Sequence, residues 1–194
     1  MDFKEICRRR RTVRFYQHKN VALEHLIAMI DCARRAPSAA NNQILRYTVV
    51  RNPDLVQAVF LHTAWGGRVT PRRSPEWGRN APAAFIAVSA LRSGPVLPQM
   101  AYADAGAAIM TMQYAAADAG LGSCWIGAFK VKEVGAILAV PAKEQLIFLL
   151  AVGHPAEKPV MDEIEADGSV AYYLDEDDTL HVPKYSVKAV TRIL

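Results

Sequence analysis

The chain has 194 residues, of which 52% are hydrophobic and 22% charged, and its formal net charge at pH 7 is +4. These values predict one globular domain, residues 1–194, and exclude a disordered or low-complexity protein. The basic residues concentrate in residues 8–14 and 68–79. Such compact groups do not form the long basic stripe that nucleic acid requires, so we expect no nucleic-acid partner.

Three cysteines, Cys7, Cys32 and Cys124, form no CxxC pair and have no metal-ligand spacing with the five histidines. This sparse, odd set predicts a reduced intracellular protein without a metal site. Residues 1–5 carry charges where a signal peptide needs an apolar run. No apolar run approaches the roughly 20 residues of a membrane span, so we expect a cytoplasmic protein without membrane contact.

Helices and strands alternate along the first half of the chain. Hydrophobic spacing predicts helices over residues 2–9, 23–36 and 54–64 and strands over residues 47–51 and 83–89. Pro37 ends the second helix, and the last of these strands is apolar throughout, as in strands buried on both faces. Residues 66–80 show no periodicity and predict a loop of the kind that often carries function.

The longest predicted helix covers residues 101–120 and is apolar almost all round. Little of its surface can face water, and one small domain offers limited cover. We therefore expect a homodimer interface on this helix, with a central core helix as the alternative.

The remaining segments continue the alternation. Glycines in residues 120–127 are expected to close the long helix and to let the backbone approach a ligand. A helix over residues 131–140 and a buried strand over 146–152 follow. Residues 162–181 are polar and acidic and predict an exposed loop, and the tail, 182–194, predicts a final strand that reaches a partner subunit. Strands separated by helices indicate an α/β or α+β layered domain.

Two separate segments suit a phosphate-bearing ligand with a polar tail. The first is Arg10-Arg11-Thr12-Val13-Arg14, and the second is Pro37-Ser38-Ala39-Ala40-Asn41-Asn42-Gln43. Arginine offers a planar, permanently charged fork for phosphate oxygens. Hydroxyls and the backbone N–H groups of a turn add further donors.

With these segments, the chain resembles the nitroreductase family of FMN-dependent oxidoreductases. The resemblance also rests on Gly120-Leu121-Gly122-Ser123-Cys124-Trp125-Ile126-Gly127 and on Gly153-His154-Pro155-Ala156-Glu157-Lys158-Pro159. It implies an α+β three-layer sandwich in which helices flank a mixed central sheet. It also implies an intertwined homodimer with C-terminal exchange and two FMN molecules at the interface.

The resemblance also implies roles for individual residues. Arg10, Arg11 and Thr12 are expected to hold the phosphate and ribityl end of FMN, and Arg14 the pyrimidine edge, where a cation stabilises the reduced flavin. Pro37, Ser38 and Asn41 are expected from the other subunit. Trp125, Ile126 and Gly127 are expected beside the ring, and Lys184 near the phosphate. No side chain is expected to be catalytic, because the flavin performs the chemistry.

The chain departs from the family pattern at a few positions. Thr12 replaces a serine, Ile44-Leu45 replace Pro-Trp, and Tyr185 stands where a second basic residue is expected beside Lys184. Residues 66–80 match no family motif, so substrate choice is expected to vary there.

Several residues have both a structural and a functional interpretation. Cys124 is expected to be a small apolar filler rather than a nucleophile, because no base is placed to activate it. His154 and Gln43 are expected to be structural. For Trp65 and Trp77 two roles stay open, as aromatic walls of a substrate pocket or as packing residues.

The function that the resemblance implies is two-step oxidoreduction. NADH or NADPH would give hydride to flavin N5, and a small organic acceptor such as a nitroaromatic or quinone would then take the electrons, in a ping-pong mechanism. The alternatives are a specialised flavin enzyme that does not use NAD(P)H and a non-catalytic flavin-binding protein.

Overall fold

A four-stranded antiparallel sheet forms the centre of the molecule. The computed structural model describes residues 2–67, 69–70, 72–94 and 96–194. The central strands are β1 (Leu45–Val50), β2 (Ala84–Leu91), β3 (Gly122–Ile126) and β4 (Glu144–Gly153), in the order β1-β2-β4-β3. Each neighbouring pair is antiparallel. The prediction of a mixed central sheet is therefore wrong for the strands of one chain.

Helices cover both faces of this sheet. α2 (Leu23–Ala33) and α4 (Met100–Asp118) lie on one face, and α3 (Pro53–Phe60) and α5 (Val131–Ile137) lie on the other. Of the other helices, α1 (Phe3–Arg9) packs on α4 and α6 (Val187–Val190) lies near the C-terminus, and a 3₁₀ turn spans Ala39–Asn41. Alternate residues of β2 point to opposite faces. Ile86 and Val88 pack with α2 and α4, whereas Phe85 and Ala87 pack with α3. The result is an α+β arrangement in three layers.

The strands β2 and β4 lie in the middle because both are apolar and buried on both faces. The continuous apolar run predicted at residues 83–89 is confirmed as β2, which is buried from Ala84 to Ala90. The register of β2 against β4 shifts after Val88, which pairs with Phe148, while Ser89 pairs with Leu146. The extra residue is Ile147, so Ile147 and Phe148 both join the core of the α4 layer.

The long helix α4 confirms the predicted element and ends as predicted. Gly120 has a φ of +70°, and Leu121 N donates to Ala116 O over 2.8 Å. This is the left-handed glycine closure of a helix. The inner stripe of α4 is buried, yet Met100 and Tyr102 are about half exposed, at 54% and 47%. One chain therefore leaves part of this apolar helix uncovered.

The C-terminal region forms a second, smaller sheet. Its strands are β5 (Val160–Ile164), β6 (Tyr173–Leu174) and β7 (Leu180–Tyr185), in the order β5-β7-β6. β5 is parallel to β7 and β6 is antiparallel to it. The prediction of an exposed loop over residues 162–181 is wrong for β5 and β6. The prediction of a final strand over residues 182–194 is right only for residues 182–185, which belong to β7, and is wrong for residues 187–190, which are helical.

The bilayer core requires a helix of about 20 predominantly apolar residues. None of the helices that the structure describes is both long enough and apolar enough to cross a membrane.

Candidate functional site

Residues 10–16, the arginine segment, lie along the free edge of β3 on a seat made by two glycines. Gly122 and Gly153 are paired across β3 and β4. A Cβ on Gly122 would lie 2.8 Å from Val13, and one on Gly153 would lie 2.6 Å from the Tyr16 ring. Gly122 therefore admits the protein's own Val13, where a ligand was expected, and only glycines allow this approach.

Backbone hydrogen bonds hold the arginine segment on this seat. Val13 N donates to Ser123 O over 3.0 Å, and Thr12 forms a parallel bridge with Ser123. The Tyr16 hydroxyl, which is buried, donates to Val13 O over 2.6 Å. These contacts fix the direction in which the flanking arginines leave the backbone.

Glu157 anchors the next part of the segment. Its Oε1 accepts hydrogen bonds from the backbone N–H groups of Arg14, at 2.5 Å, and Phe15, at 3.2 Å. Its Oε2 receives Nε and Nη2 of Arg73, at 3.3 and 3.1 Å. Nη1 of Arg73 binds Asp178 over 3.2 Å. Residues from three distant parts of the chain thus converge on the backbone of Arg14 and Phe15.

A basic cavity of about 480 Å³ opens between the end of α1, the end of α4 and residues 155–161. Its lining includes four arginines and a lysine: Arg8, Arg9, Arg10, Arg11 and Lys158. Glu157 also lines it, but Arg73 already neutralises that carboxylate. The cavity therefore carries an excess of positive charge and suits an anion.

Two details of this cavity indicate an anion more directly. The Nε of Arg10 is buried and has no hydrogen-bond partner among the described residues. The pKa of Arg11 is lowered, first by burial and second by the charge of Arg10. An anionic oxygen bound between the two guanidinium groups would accept a hydrogen bond from Arg10 Nε. It would also stabilise the charge of Arg11 against burial and against the repulsion of Arg10.

The turn at residues 37–43 forms a second cluster, and its backbone is strained. Ala40, Asn41 and Gln43 all have φ values near +50°. This left-handed region is costly for residues other than glycine and concentrates at functional sites. Gln43 holds the turn together, because its backbone N–H donates to Ser38 Oγ and its side chain donates to Asn41, which confirms its structural interpretation.

An aromatic group lies where β3 meets α4. The Trp125 ring packs edge-on against Phe148, with 5.0 Å between ring centroids, and it lies next to Gly106 of α4. Trp125 remains 38% exposed, and Gly127 is exposed beside Phe148. Ile126 differs, because its side chain is buried in the core on the opposite face. At this position only the backbone can face a ligand on the α4 side.

The two polar clusters lie at opposite ends of α4. Asp104, near the start of the helix, accepts a hydrogen bond from Ala39 N over 3.0 Å. Gln113, nine residues later, contacts Ser123 beside the arginine segment. Nine residues of α-helix span about 14 Å. Within one chain the turn at 37–43 and the arginine segment therefore do not form one compact site.

The remaining predicted residues fall outside these clusters. Lys184 is exposed on β7 and lines a different depression, with Tyr172 and Tyr185, so one chain does not bring it to the basic cavity. Cys124 is buried, and burial raises the pKa of its thiol to about 11. The thiol is therefore protonated at neutral pH, as expected for an apolar filler. Trp65 is buried beside Phe60, which settles its role as packing.

Sequence analysis missed Arg73 and Glu157. Glu157 lies inside a motif that was used for the family resemblance, so a search for polar residues within that motif would have found it. Arg73 gave no signal, because it lies in the aperiodic loop of residues 66–80.

The chain is similar to a family of known proteins. The Nitroreductase family model matches residues 7–154. A protein of Methanothermobacter thermautotrophicus, provisionally named as an NADH dehydrogenase/NAD(P)H nitroreductase, is 27% identical over 163 residues, covering 82% of this chain and 80% of that protein.

Two solved structures show the same fold. A provisionally named nitroreductase of Desulfovibrio desulfuricans, solved in complex with FMN, is 26% identical, with a TM-score of 0.64 over 81% of this chain and 88% of that one. A nitroreductase family protein of Clostridium novyi NT is 24% identical, with a TM-score of 0.65 over 84% and 89%. Since the family model covers well over half of the chain, this protein belongs to the nitroreductase family of oxidoreductases.

Proposed function

We propose that this protein is an FMN-dependent oxidoreductase that uses NADH or NADPH to reduce a small organic acceptor such as a nitroaromatic or a quinone. The observation that carries the proposal is the basic cavity, in which Arg10 has a buried nitrogen with no hydrogen-bond partner among the described residues and Arg11 lies half-buried beside it. Family membership and the FMN named for the Desulfovibrio desulfuricans relative support the choice of cofactor. The printed name of the Methanothermobacter relative supports the choice of NAD(P)H as donor.

The residues of the arginine segment fit such a group. Arg10, Arg11 and Thr12 would hold the phosphate and the ribityl chain, because charged donors and a hydroxyl bind phosphate oxygens strongly. Arg14 would contact the pyrimidine edge. Lys184 is not included in this part of the proposal, because within one chain it lies outside the basic cavity.

A homodimer would complete the site. If two copies of α4 pack about a two-fold axis perpendicular to the helix, the start of one helix lies beside the end of the other. Pro37, Ser38 and Asn41 of the partner subunit would then approach the arginine segment across an otherwise incomplete site. The uncovered apolar surface of α4 supports this arrangement, since residues 105–117 contain no charged side chain.

The chain would contribute position and charge. Bound FMN would supply the acceptance of hydride from the nicotinamide and the delivery of electrons to the second substrate. The guanidinium of Arg14 would favour negative charge on the ligand edge that it faces. Trp125 and Gly127 would border the ring and limit the access of water.

The test is an anaerobic titration of the purified, FMN-loaded protein with NADH and NADPH. We expect flavin absorbance that one or both nucleotides bleach, and a particle of about twice 21.3 kDa in sedimentation equilibrium. Flavin that neither nucleotide bleaches would favour a specialised flavin enzyme or a non-catalytic binder. Failure to bind added FMN would contradict the proposal.

A pair of variants tests the site itself. Arg11→Ala should weaken FMN binding about 10- to 100-fold, the value of a charged hydrogen bond of about 1.5–3 kcal/mol. Arg79→Ala is the matched control, because Arg79 is exposed and pairs only loosely with Glu76, at 3.5 Å. Equal effects of the two substitutions would contradict the proposed site.

A further inference from the structure

We propose that Arg73 is a positioning residue, which acts through Glu157 to hold Arg14 in place and thereby sets both the affinity and the reduction potential of the bound flavin. This proposal rests on the proposed function. Arg73 lies outside the four motifs that carry the family resemblance, in the loop of residues 66–80.

Glu157 links Arg73 to the backbone of the arginine segment. One carboxylate oxygen receives the backbone N–H groups of Arg14 and Phe15, and the other receives Arg73 through two nitrogens. Two-nitrogen binding fixes the orientation of a carboxylate as well as its position. Because both oxygens are engaged, a rotation of the carboxylate would disturb the two N–H groups that it holds.

The ion pair between Arg73 and Glu157 is buried. The side chains of Arg73 and Glu157 are only 8% and 7% exposed. A buried carboxylate without its cation either takes up a proton or moves towards water. In both cases the charged acceptor at the backbone of Arg14 is weakened or lost, so the effect of Arg73 reaches the cofactor segment through one intermediate residue.

Arg73 also contacts the segment directly. Its guanidinium carbon lies 4.7 Å from the centre of the Phe15 ring, so a cation–π contact adds to the link through Glu157. Arg73 itself is held by a tight turn, because a Cβ on Gly66, whose φ is +56°, would meet Arg73 O at 2.8 Å. Ser74 Oγ also donates to Trp65 O over 3.3 Å. Arg73 is therefore held in place both by its own loop and by its contact with the arginine segment.

Asp178 extends the link to the C-terminal sheet. It binds the third nitrogen of Arg73 from the turn between β6 and β7. That turn is stabilised by Asp175, whose Oδ1 accepts from the backbone N–H groups of Asp177 and Thr179. Arg73 thus connects the cofactor segment with a sheet that lies beyond residues 7–154, the part that the family model matches.

The experiment compares Arg73→Met, Arg73→Lys and Arg79→Met. Methionine keeps much of the length of arginine and removes its charge, whereas lysine keeps the charge and loses the two-nitrogen geometry. We expect Arg73→Met to weaken FMN binding about tenfold and to lower the midpoint potential of the bound flavin. Arg73→Lys should fall between Arg73→Met and the wild type. Arg79→Met, the same change at an exposed arginine near the same loop, should leave both quantities at their wild-type values.

A double variant tests whether Arg73 acts through Glu157. If it does, the double variant Arg73→Met/Glu157→Gln should lose no more FMN affinity than Glu157→Gln alone, because the carboxylate through which Arg73 acts is already absent there. Wild-type affinity and potential in Arg73→Met, with only a lower melting temperature, would overturn the proposal. If Arg73→Met does not fold, Arg73→Lys decides, and wild-type affinity and potential there would overturn it. Failure of the wild-type protein to bind FMN would instead reject the proposed function.

Discussion

Different interactions stabilise the central sheet and the C-terminal sheet. In the central sheet, β2 and β4 are almost entirely buried, and the contacts on both faces are apolar. In the C-terminal sheet, Leu180 is fully buried, but most of β5 and β6 is partly or fully exposed. There His181 lies between Asp162 and Asp175, at 2.9 and 3.2 Å, and stacks on Tyr173.

This difference shows how the arginine segment is placed. The central sheet provides the seat, through the space above Gly122 and Gly153. The anchor comes from Glu157 and Arg73, which connect onward to the C-terminal sheet. Burial of apolar surface responds little to pH, whereas contacts between ionisable groups respond strongly. The two supports of the site should therefore fail under different conditions.

The largest effect is expected from Gly153→Ala. The new Cβ would lie 2.6 Å from the ring of Tyr16, which is buried and hydrogen-bonded and therefore has little room to move. Overpacking of this kind costs about 1–3 kcal/mol. We expect a loss of that size in the free energy of unfolding measured in urea, together with weaker FMN binding.

Gly135→Ala is the matched control for that substitution. Gly135 lies within α5, and a Cβ there would meet none of the described residues within 4 Å. Alanine in a helix interior is favoured over glycine by about 0.5–1 kcal/mol. The control should therefore be neutral or stabilising, and a stable Gly153→Ala protein would show that the seat of the arginine segment is loosely packed.

A smaller effect is expected from Cys124 at alkaline pH. Burial raises the pKa of its thiol from 9.0 to about 11, with a smaller contribution from the charge of Glu157, while Arg14 opposes the shift. The unfolded thiol loses its proton at a lower pH than the folded one, so this stabilisation is present below pH 9 and is lost as the pH rises to about 11. At 1.36 kcal/mol per pKa unit the complete loss is about 3 kcal/mol, of which about 2 kcal/mol is reached by pH 11.

The measurement is urea unfolding between pH 8 and pH 11 for the wild type and for Cys124→Ala. The free energy of unfolding should fall less over that interval for the variant than for the wild type. The pKa of Tyr16 is also raised by burial, but Tyr16 is present in both proteins, so its contribution cancels in the comparison. Parallel pH dependences would contradict the assignment. In the native protein at pH 8, thiol reagents should modify the half-buried Cys7 and Cys32 before Cys124.

The smallest effect is expected in the C-terminal sheet. Hydrogen bonds to Asp162 and, second, to Asp175 raise the pKa of His181 above its usual 6.5. This group stabilises the sheet fully below pH 6.5, and the stabilisation is lost as the pH rises through the raised pKa. We expect hydrogen exchange of the β7 amides, corrected for the intrinsic pH dependence, to accelerate over that range, with no such change in β2 and β4. His181→Asn should abolish the difference.

Sequence analysis predicted the central layers well because their signals are local. The apolar run that became β2, the periodic helices and the glycine that closes α4 each depend on near neighbours. The C-terminal sheet was missed, because β5 and β6 are short, lie in a segment rich in acidic residues and are stabilised by contacts between distant residues such as Asp162 and His181. Strand β3 was missed for a related reason: its glycines suggested a turn, although they serve to admit Val13.

By itself, the sequence determined the family, the three-layer α+β fold and the arginines that suit a phosphate, because motif spacing and hydrophobic periodicity are written along the chain. Only the tertiary structure showed that Arg73 and Glu157 hold Arg14, and that the turn at residues 37–43 lies at the far end of α4 from the arginine segment. The ion pair joins residues 84 positions apart. No local sequence pattern encodes such a contact, because it forms only when the loop of residues 66–80 packs against the segment between β4 and β5, which contains Glu157.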